Sequence, residues 1–300
     1  MIGRAAFQFL TGLAVVAAPA ASAPVRPDYA ALPEPAARQL AEHRRIDAAL
    51  NALQPQRRGV VDAYVIVVAL DGDPVFGREA REAGRVLASR FDAVGRTIVL
   101  ANDEGERKAD APGSPHTLAL ALARVAELMD RNEDVLVLYS TSHGEPDAGI
   151  VYRDRERGGG LVTPERLAGL LDPLRFKNRL LILQACYSGQ FVPALKAPGT
   201  IVVTAAAEDR PSFGCQAGND WTLFGTALIN HAFRQPLPLE VQFQRAKALI
   251  GAAEEQAGLE PSNPQVSIGP DTAGWRGALD ARAPKVVSAP VGEPVQGLGI

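Results

Sequence analysis

The sequence has few of the residues that mark disulfide-rich and metal-binding proteins. Cys186 and Cys215 are the two cysteines among its 300 residues, too few for a scaffold held by disulfides or for a cysteine-based zinc site. The four histidines show no His-Glu-x-x-His spacing, so we predict no metal site. A Gly-x-Ser-x-Gly motif is also missing, which argues against a serine hydrolase.

Two further classes of partner are excluded by what the sequence lacks. The net charge is -3 and Lys and Arg are spread along the chain, so there is no basic stripe for phosphates and we predict no nucleic-acid partner. The glycine cluster Gly158 to Gly160 does not lead into Gly-Lys-Ser, so we interpret it as a flexible loop tip and predict no cofactor.

The N-terminal residues have the pattern of a secretory signal. Within residues 1–23, Arg4 precedes an apolar run that is too short to span a bilayer comfortably, and small residues follow it. We expect this segment to be removed, leaving no stable membrane insertion. An uncleaved anchor is the alternative, and Pro24 leaves the cleavage point open.

Three regions follow the signal. Residues 24–60 are interpreted as a proline-rich linker and an N-terminal helix over Ala36 to Leu53. Residues 61–270 are predicted to form one folded domain, since hydrophobic residues make up 47% of the chain and can build a substantial core. Residues 271–300 are expected to be a disordered tail, because beyond Ala283 they mix Pro, Val and Gly without periodicity.

The central region alternates apolar segments with helical patterns. Its short segments are nearly continuous in apolar character, as strands buried on both faces require. Alternation of strand and helix implies right-handed crossovers and a mostly parallel sheet between two helical layers, a three-layer α/β sandwich. The predicted strands are Ala63 to Leu70, Thr97 to Leu100, Val135 to Tyr139, Leu180 to Leu183, Ile201 to Thr204 and Gln265 to Ile268. The predicted helices are Arg78 to Phe91, Pro115 to Met129, Pro164 to Leu174, Asp220 to Phe233 and Leu239 to Gln256.

His143 and Cys186 come directly after two of the predicted strands. Reactive groups gather at the carboxyl ends of parallel strands, so neighbouring strands would bring the two side chains together. A thiolate is a nucleophile, and an imidazole can take its proton and return one to the leaving amine. Each residue also has a glycine nearby, and backbone N–H groups near Gly144 and Cys186 can form an oxyanion hole.

Both residues could instead have purely structural roles. Cys186 can be a small buried hydrophobe at the end of a core strand, and His143 a polar cap on a loop. In an exported chain Cys186 and Cys215 can also form a disulfide, or one can be reactive and the other buried and inert.

The two motifs resemble those of a known enzyme family. Tyr139-Ser140-Thr141-Ser142-His143-Gly144 and Gln184-Ala185-Cys186-Tyr187-Ser188-Gly189 are similar to the histidine and cysteine motifs of the legumain-like peptidases, family C13 of the caspase-like group. The resemblance covers roughly residues 63–268 and suggests a bacterial-type secreted member. It implies a caspase-like sandwich with Cys186 as nucleophile, His143 as acid and base, and Gly144 as oxyanion donor.

The resemblance also implies a pocket for an asparagine side chain. Arg78 and Asp220 match the basic and acidic members of that pocket. Gln184 stands where legumains have a glutamate, so we expect a less acidic pocket that also admits aspartate or another polar residue. Ser142 stands where legumains have an aspartate, and the asparagine that orients their histidine is replaced near Phe76. His143 would therefore be oriented by a backbone carbonyl or by another group.

These patterns predict a periplasmic or secreted cysteine endopeptidase that cleaves peptide or protein substrates through a thioester on Cys186, and the resemblance implies cleavage after Asn or Asp. Two alternatives stay open. One is a peptide-binding scaffold without activity, in which Cys186 is bonded to Cys215. The other is a transpeptidase that uses the same chemistry to join chains. The oligomeric state is not indicated by the sequence.

Overall fold

The protein is described by a computed structural model over residues 36–102, 104–105, 108–154 and 158–300. The predicted secretory signal and the first part of the predicted linker lie outside the described residues, so both stay predictions.

Strands and helices alternate along the described chain. The strands are β1 (Ala63–Ala69), β2 (Thr97–Leu100), β3 (Val135–Thr141), β4 (Gly144–Glu145), β5 (Gly149–Asp154), β6 (Gly158–Val162), β7 (Asn178–Gln184), β8 (Thr200–Thr204) and β9 (Gln265–Ile268). The helices are α1 (Ala36–Ala52), α2 (Pro74–Arg90), α3 (Pro115–Leu128), α4 (Pro164–Leu171), α5 (Val192–Leu195), α6 (Leu223–Gly225), α7 (Leu239–Gln256) and α8 (Ala273–Arg282). Among the helices of these described ranges, none is long and apolar enough for a bilayer crossing.

The central sheet has six strands in the order β2-β1-β3-β7-β8-β9. Every neighbouring pair is parallel except β8 with β9. The chain goes from β1 to β2 on one side and then returns to β3 on the other, so the strand order reverses between β1 and β3. Such a reversal point opens a crevice at the carboxyl ends of the strands.

Both faces of the sheet are covered by helices. On β1, Val65 and Val67 pack into one core and Tyr64, Ile66 and Val68 into another, and all five are fully buried. One core includes residues of α2, α7 and α8, and the other includes residues of α1, α3 and α4. Burial on both faces explains why the strands show no apolar and polar alternation. The predicted mostly parallel three-layer α/β sandwich is confirmed.

A second, small sheet was not predicted. It has the order β4-β5-β6 with antiparallel pairing and follows His143 directly. Gly158, Gly159 and Gly160 lie in β6 and pair with β5, so the prediction of a flexible loop tip is wrong. Glycine is a poor strand former, and pairing with β5 overrides that local preference.

The C-terminal residues are folded, which corrects the predicted disordered tail over 271–300. Helix α8 buries Trp275 and Leu279 in the core. Farther along, Val295 is 1% exposed, and the indole N–H of Trp221 donates to the carbonyl of Val291 at 2.8 Å. Periodicity does not reveal such a segment, because contacts with distant parts of the chain order it.

Candidate active site

Three candidate residues follow neighbouring strands at the edge of the sheet beside the reversal point. Asp73 follows β1, His143 follows β3 and Cys186 follows β7. The strands β3 and β7 are parallel neighbours in which Thr141 pairs with Gln184, and two more residues on each strand lead to His143 and Cys186. The predicted proximity of these two side chains therefore follows from the strand register.

His143 has a carboxylate partner that sequence reasoning missed. Its Nε2 lies 3.1 Å from Oδ2 of Asp73, in the turn between β1 and α2. The ring of Phe76 packs edge-on against the imidazole, with 4.8 Å between the ring centroids. A carboxylate favours the tautomer with a proton on Nε2, which leaves Nδ1 as the acceptor. Asp73 thus makes a carboxylate contact with His143 that the resemblance to legumains did not identify.

Gly144 is held against the backbone of Cys186. A Cβ built on Gly144 would lie 2.0 Å from the carbonyl oxygen of Cys186, closer than two such atoms can approach. Glycine is therefore required here by close backbone approach. This contact places the residue after His143 beside the residue predicted to be the nucleophile.

The surroundings of the Cys186 thiol favour its ionised form. Its pKa is lowered to about 6, first by a hydrogen bond from the Cys215 thiol and then by the Ser212 backbone and the charge of His143, against the opposing effect of burial. The backbone N–H of Ser212 lies 3.3 Å from the Cys186 sulfur. The pKa of Cys215 is raised, because its proton is held by Cys186 and its thiol is buried. Because the two thiols share a hydrogen bond, Cys186 ionises first and Cys215 keeps its proton.

Both cysteines are free thiols in the structure. The disulfide of the alternative scaffold interpretation is therefore not formed. The turn after Cys186 is also unusual, since Tyr187 has a φ of 57°. A non-glycine residue in this left-handed region is uncommon, and such residues cluster at active sites. The turn directly follows Cys186, which lies two residues beyond the end of β7.

Arg78 and Asp220 of the predicted pocket are close together. The Arg78 Nε lies 3.3 Å from Oδ1 of Asp220 and donates to the carbonyl of Asn219 at 3.1 Å. Arg78 also pairs with Glu104 through its Nη1 at 2.7 Å. Glu104 was not predicted, because no motif marks it. Glu104 also pairs with Arg81 at 2.9 Å, so the pocket region has two carboxylates and two guanidinium groups.

Gln184 differs from the prediction of a substrate contact. Its side chain is fully buried, and its carbonyl oxygen accepts from Thr141 Oγ1 at 2.9 Å and from Ser142 N at 3.2 Å. Its amide nitrogen lies 4.0 Å from the sulfur of Cys215. A buried side chain with these partners does not touch substrate, so Gln184 supports the strand end and the Cys215 thiol instead.

A buried carboxylate lies behind the site. Glu79 accepts hydrogen bonds from the hydroxyl of Tyr139 at 2.6 Å and from N and Oγ1 of Thr222, each at 2.8 Å. Burial raises the pKa of Glu79, and these hydrogen bonds oppose that effect. The negative charge of Glu79 contributes to the raised pKa of Cys215.

Comparison with known proteins identifies the family. The family model described as the peptidase C13 family matches residues 117–273, just over half of the chain. This range includes His143, Gly144, Cys186 and Asp220, and Asp73 lies before it. A search of curated proteins found no match. Among solved structures, caspase-1 from Spodoptera frugiperda aligns at 15% identity and a TM-score of 0.44, over 72% of this chain and 93% of that chain. The chain belongs to the peptidase C13 family of cysteine peptidases.

Proposed function

We propose that this peptidase is an endopeptidase in which Cys186 is the nucleophile, His143 the general acid and base, and Asp73 the group that orients His143. The observation that carries the proposal is the thiol of Cys186, whose pKa is lowered to about 6 beside a histidine anchored by a carboxylate. A structural buried cysteine has no need of such surroundings, because burial alone raises a thiol pKa.

The reaction proceeds in two halves. Nδ1 of His143 takes the proton of the Cys186 thiol, and the resulting thiolate attacks the scissile carbonyl carbon. The new carbon–sulfur bond pushes an electron pair onto the carbonyl oxygen. Collapse of this intermediate expels the amine, which takes a proton from His143, and a thioester on Cys186 remains. His143 then deprotonates a water, which attacks the thioester and releases the acid and the thiolate.

The oxyanion needs donors at the same edge of the sheet. We place the backbone N–H of Gly144 in this role, supported by the close contact of Gly144 with the Cys186 backbone. Backbone donors in such a position act without reorganising during the reaction, and loss of one typically costs about 100 to 1000-fold in rate.

Specificity is proposed to rest on Arg78 and Asp220. The Arg78 and Asp220 ion pair offers a substrate side chain a donor and an acceptor side by side. This arrangement suits the amide of asparagine. Glu104 adds a second carboxylate beside Arg78, and Arg81 balances its charge. An aspartate carboxylate accepts from Arg78 but has no hydrogen to donate to Asp220. We therefore propose that substrates with Asn at the cut are preferred over those with Asp.

The experiment combines labelling with cleavage. An acyloxymethylketone probe is expected to label wild type at Cys186, and Cys186→Ala is expected to abolish both labelling and cleavage of a peptide library with all residues at the cut. Cys215→Ala is the matched control and should keep cleaving. A folded wild type that neither cleaves the library nor takes the probe would overturn the proposal and favour a binding scaffold.

Two features of the proposal have separate tests. Added amine nucleophiles that form new amides at the expense of acid product would reveal transpeptidation.

Export to the periplasm or the medium is supported by the pattern of residues 1–23. N-terminal sequencing of the mature protein from each cell fraction tests it, and an intact N-terminus in the cytoplasmic fraction would contradict it.

A further inference from the structure

Another acidic residue, Asp71, lies beside Asp73 and has no role in the proposed chemistry. It lies two residues after the end of β1, and its side chain is 1% exposed. Its Oδ1 accepts the backbone N–H of Asp73 at 2.9 Å. Its Oδ2 is buried and accepts no hydrogen bond from any residue that the structure describes. A buried carboxylate oxygen without a donor is costly, and such groups often mark the position of an ion.

Within the described residues, Asp71 is paired with Arg153, which compensates its charge poorly. The Nε of Arg153 lies 3.8 Å from Oδ2 of Asp71, too far for a hydrogen bond. The Arg153 side chain is 60% exposed, so its charge is largely hydrated and can move away from the carboxylate. The position next to Asp71 is therefore open to a better cation.

Two other ligands for a cation lie beside Asp71. One oxygen of Asp71, one oxygen of Asp73 and a ring nitrogen of His143 all lie within 4.8 Å of one another. Zinc binds imidazole nitrogen and carboxylate oxygen at about 2.0 to 2.2 Å, usually with four ligands. Small side-chain movements would bring three protein ligands around one ion, and water would be the fourth.

We propose that Asp71, Asp73 and His143 form a binding site for Zn²⁺ that reversibly inhibits the enzyme. The inhibition, though not the binding, rests on the proposed roles of His143 and Cys186. No sequence spacing predicts the site, because its ligands follow two different strands that the sheet brings together.

The inhibition follows from the tautomer of His143. Zinc takes the lone pair of Nε2, so the proton of a neutral imidazole must reside on Nδ1. Nδ1 is the nitrogen that accepts the proton of Cys186 in the proposed mechanism. Zinc also occupies Asp73, which otherwise orients the ring. The loaded enzyme thus lacks its general base.

Zinc titration of the metal-free Cys186→Ser variant by calorimetry tests the site without the thiol and without peptidase activity. One ion per chain is expected. Asp71→Asn keeps the oxygen that accepts the Asp73 N–H, and it should weaken zinc binding by more than about tenfold. Even residues that only hydrogen-bond to metal ligands contribute about 10 to 100-fold to affinity. Arg153→Gln removes the competing cation and should tighten binding. Equal affinity in all three proteins, or no binding, would overturn the proposal.

Cobalt substitution distinguishes this site from metal held by the thiol. A site of oxygen and nitrogen ligands gives no sulfur-to-cobalt charge-transfer band, so wild type and Cys186→Ser should have the same spectrum. A band present in wild type and lost in Cys186→Ser would assign the metal to Cys186 and overturn the proposal. In wild type, zinc should inhibit cleavage, and Asp71→Asn should need more than about tenfold more zinc for the same inhibition.

Discussion

Oδ2 of Asp73 lies 3.1 Å from Nε2 of His143, across the point where the strand order of the sheet reverses. The carboxylate follows β1 and the imidazole follows β3, and these strands are parallel neighbours. A strand pair that fixes both groups holds the ring in one orientation without any contact to substrate. In the proposed mechanism Asp73 is therefore a positioning residue.

Replacement of Asp73 by alanine should lower kcat by about 10 to 100-fold. This loss is part of the rate acceleration of roughly 10² to 10⁴-fold that general acid and base catalysis contributes. KM should change little, because Asp73 is not placed in the substrate pocket. Asp73→Asn keeps an acceptor for the imidazole N–H and should recover part of the rate. Steady-state kinetics checks this, and an Asp73→Ala variant with an unchanged kcat would contradict it.

The Cys215 thiol should set the pH at which Cys186 becomes reactive. The pKa of Cys186 is lowered to about 6, so its thiolate is present above that pH and is lost as the pH falls through it. Cys215→Ala removes the hydrogen bond that lowers the pKa of Cys186 most. The pH midpoint of iodoacetamide labelling of Cys186 should then rise, and labelling near pH 6 should slow by about tenfold for each unit of pKa.

Cys215→Ser is the matched variant, because a hydroxyl can still donate to the thiolate. Its midpoint should lie between those of wild type and Cys215→Ala. Peptide mapping by mass spectrometry separates the two cysteines, since the raised pKa of Cys215 keeps it protonated and slow. Identical midpoints in all three proteins would show that the neighbouring thiol does not perturb Cys186.

The central sheet and the positions of His143 and Cys186 after neighbouring strands were predictable from the sequence because both depend on short-range patterns. Strands buried on both faces are continuous in apolar residues, and reactive residues follow where those strands end. Asp73 was not found, although it lies in an Asp-Gly-Asp segment directly after β1. Nothing local distinguishes this aspartate from an ordinary helix cap, and its role depends on a partner 70 residues away.

Gln184 and the C-terminal segment were mispredicted for a related reason. A glutamine beside the nucleophile matches a pocket position by sequence, but the strand register turns its side chain toward Thr141 in the interior. Val295 lies among Pro and Gly residues and is nevertheless buried. Both outcomes are decided by long-range packing, which single-sequence patterns do not report.

The packed C-terminal segment should contribute to stability. Val295 is 1% exposed and packs in the main core, so Val295→Ala should lower the free energy of unfolding by about 1 to 3 kcal/mol. Val286 lies in the same segment but is 79% exposed. Val286→Ala should therefore change the free energy of unfolding by less than about 0.5 kcal/mol. Urea unfolding of the two variants provides the comparison. Equal stabilities would mean that the segment does not pack in solution.

Gly144 should tolerate no side chain. A Cβ at this position meets the Cys186 carbonyl oxygen at 2.0 Å, so Gly144→Ala must push the two strand ends apart. A misplacement of about 1 Å at a reacting group can cost about 100-fold in rate, and we expect at least that loss in kcat/KM. Gly169 in α4 has nothing within 4 Å of a built Cβ, so Gly169→Ala should keep full activity and gain up to about 1 kcal/mol of stability. Full activity of a folded Gly144→Ala variant would mean that the two strand ends are not held as closely as the contact between Gly144 and Cys186 indicates.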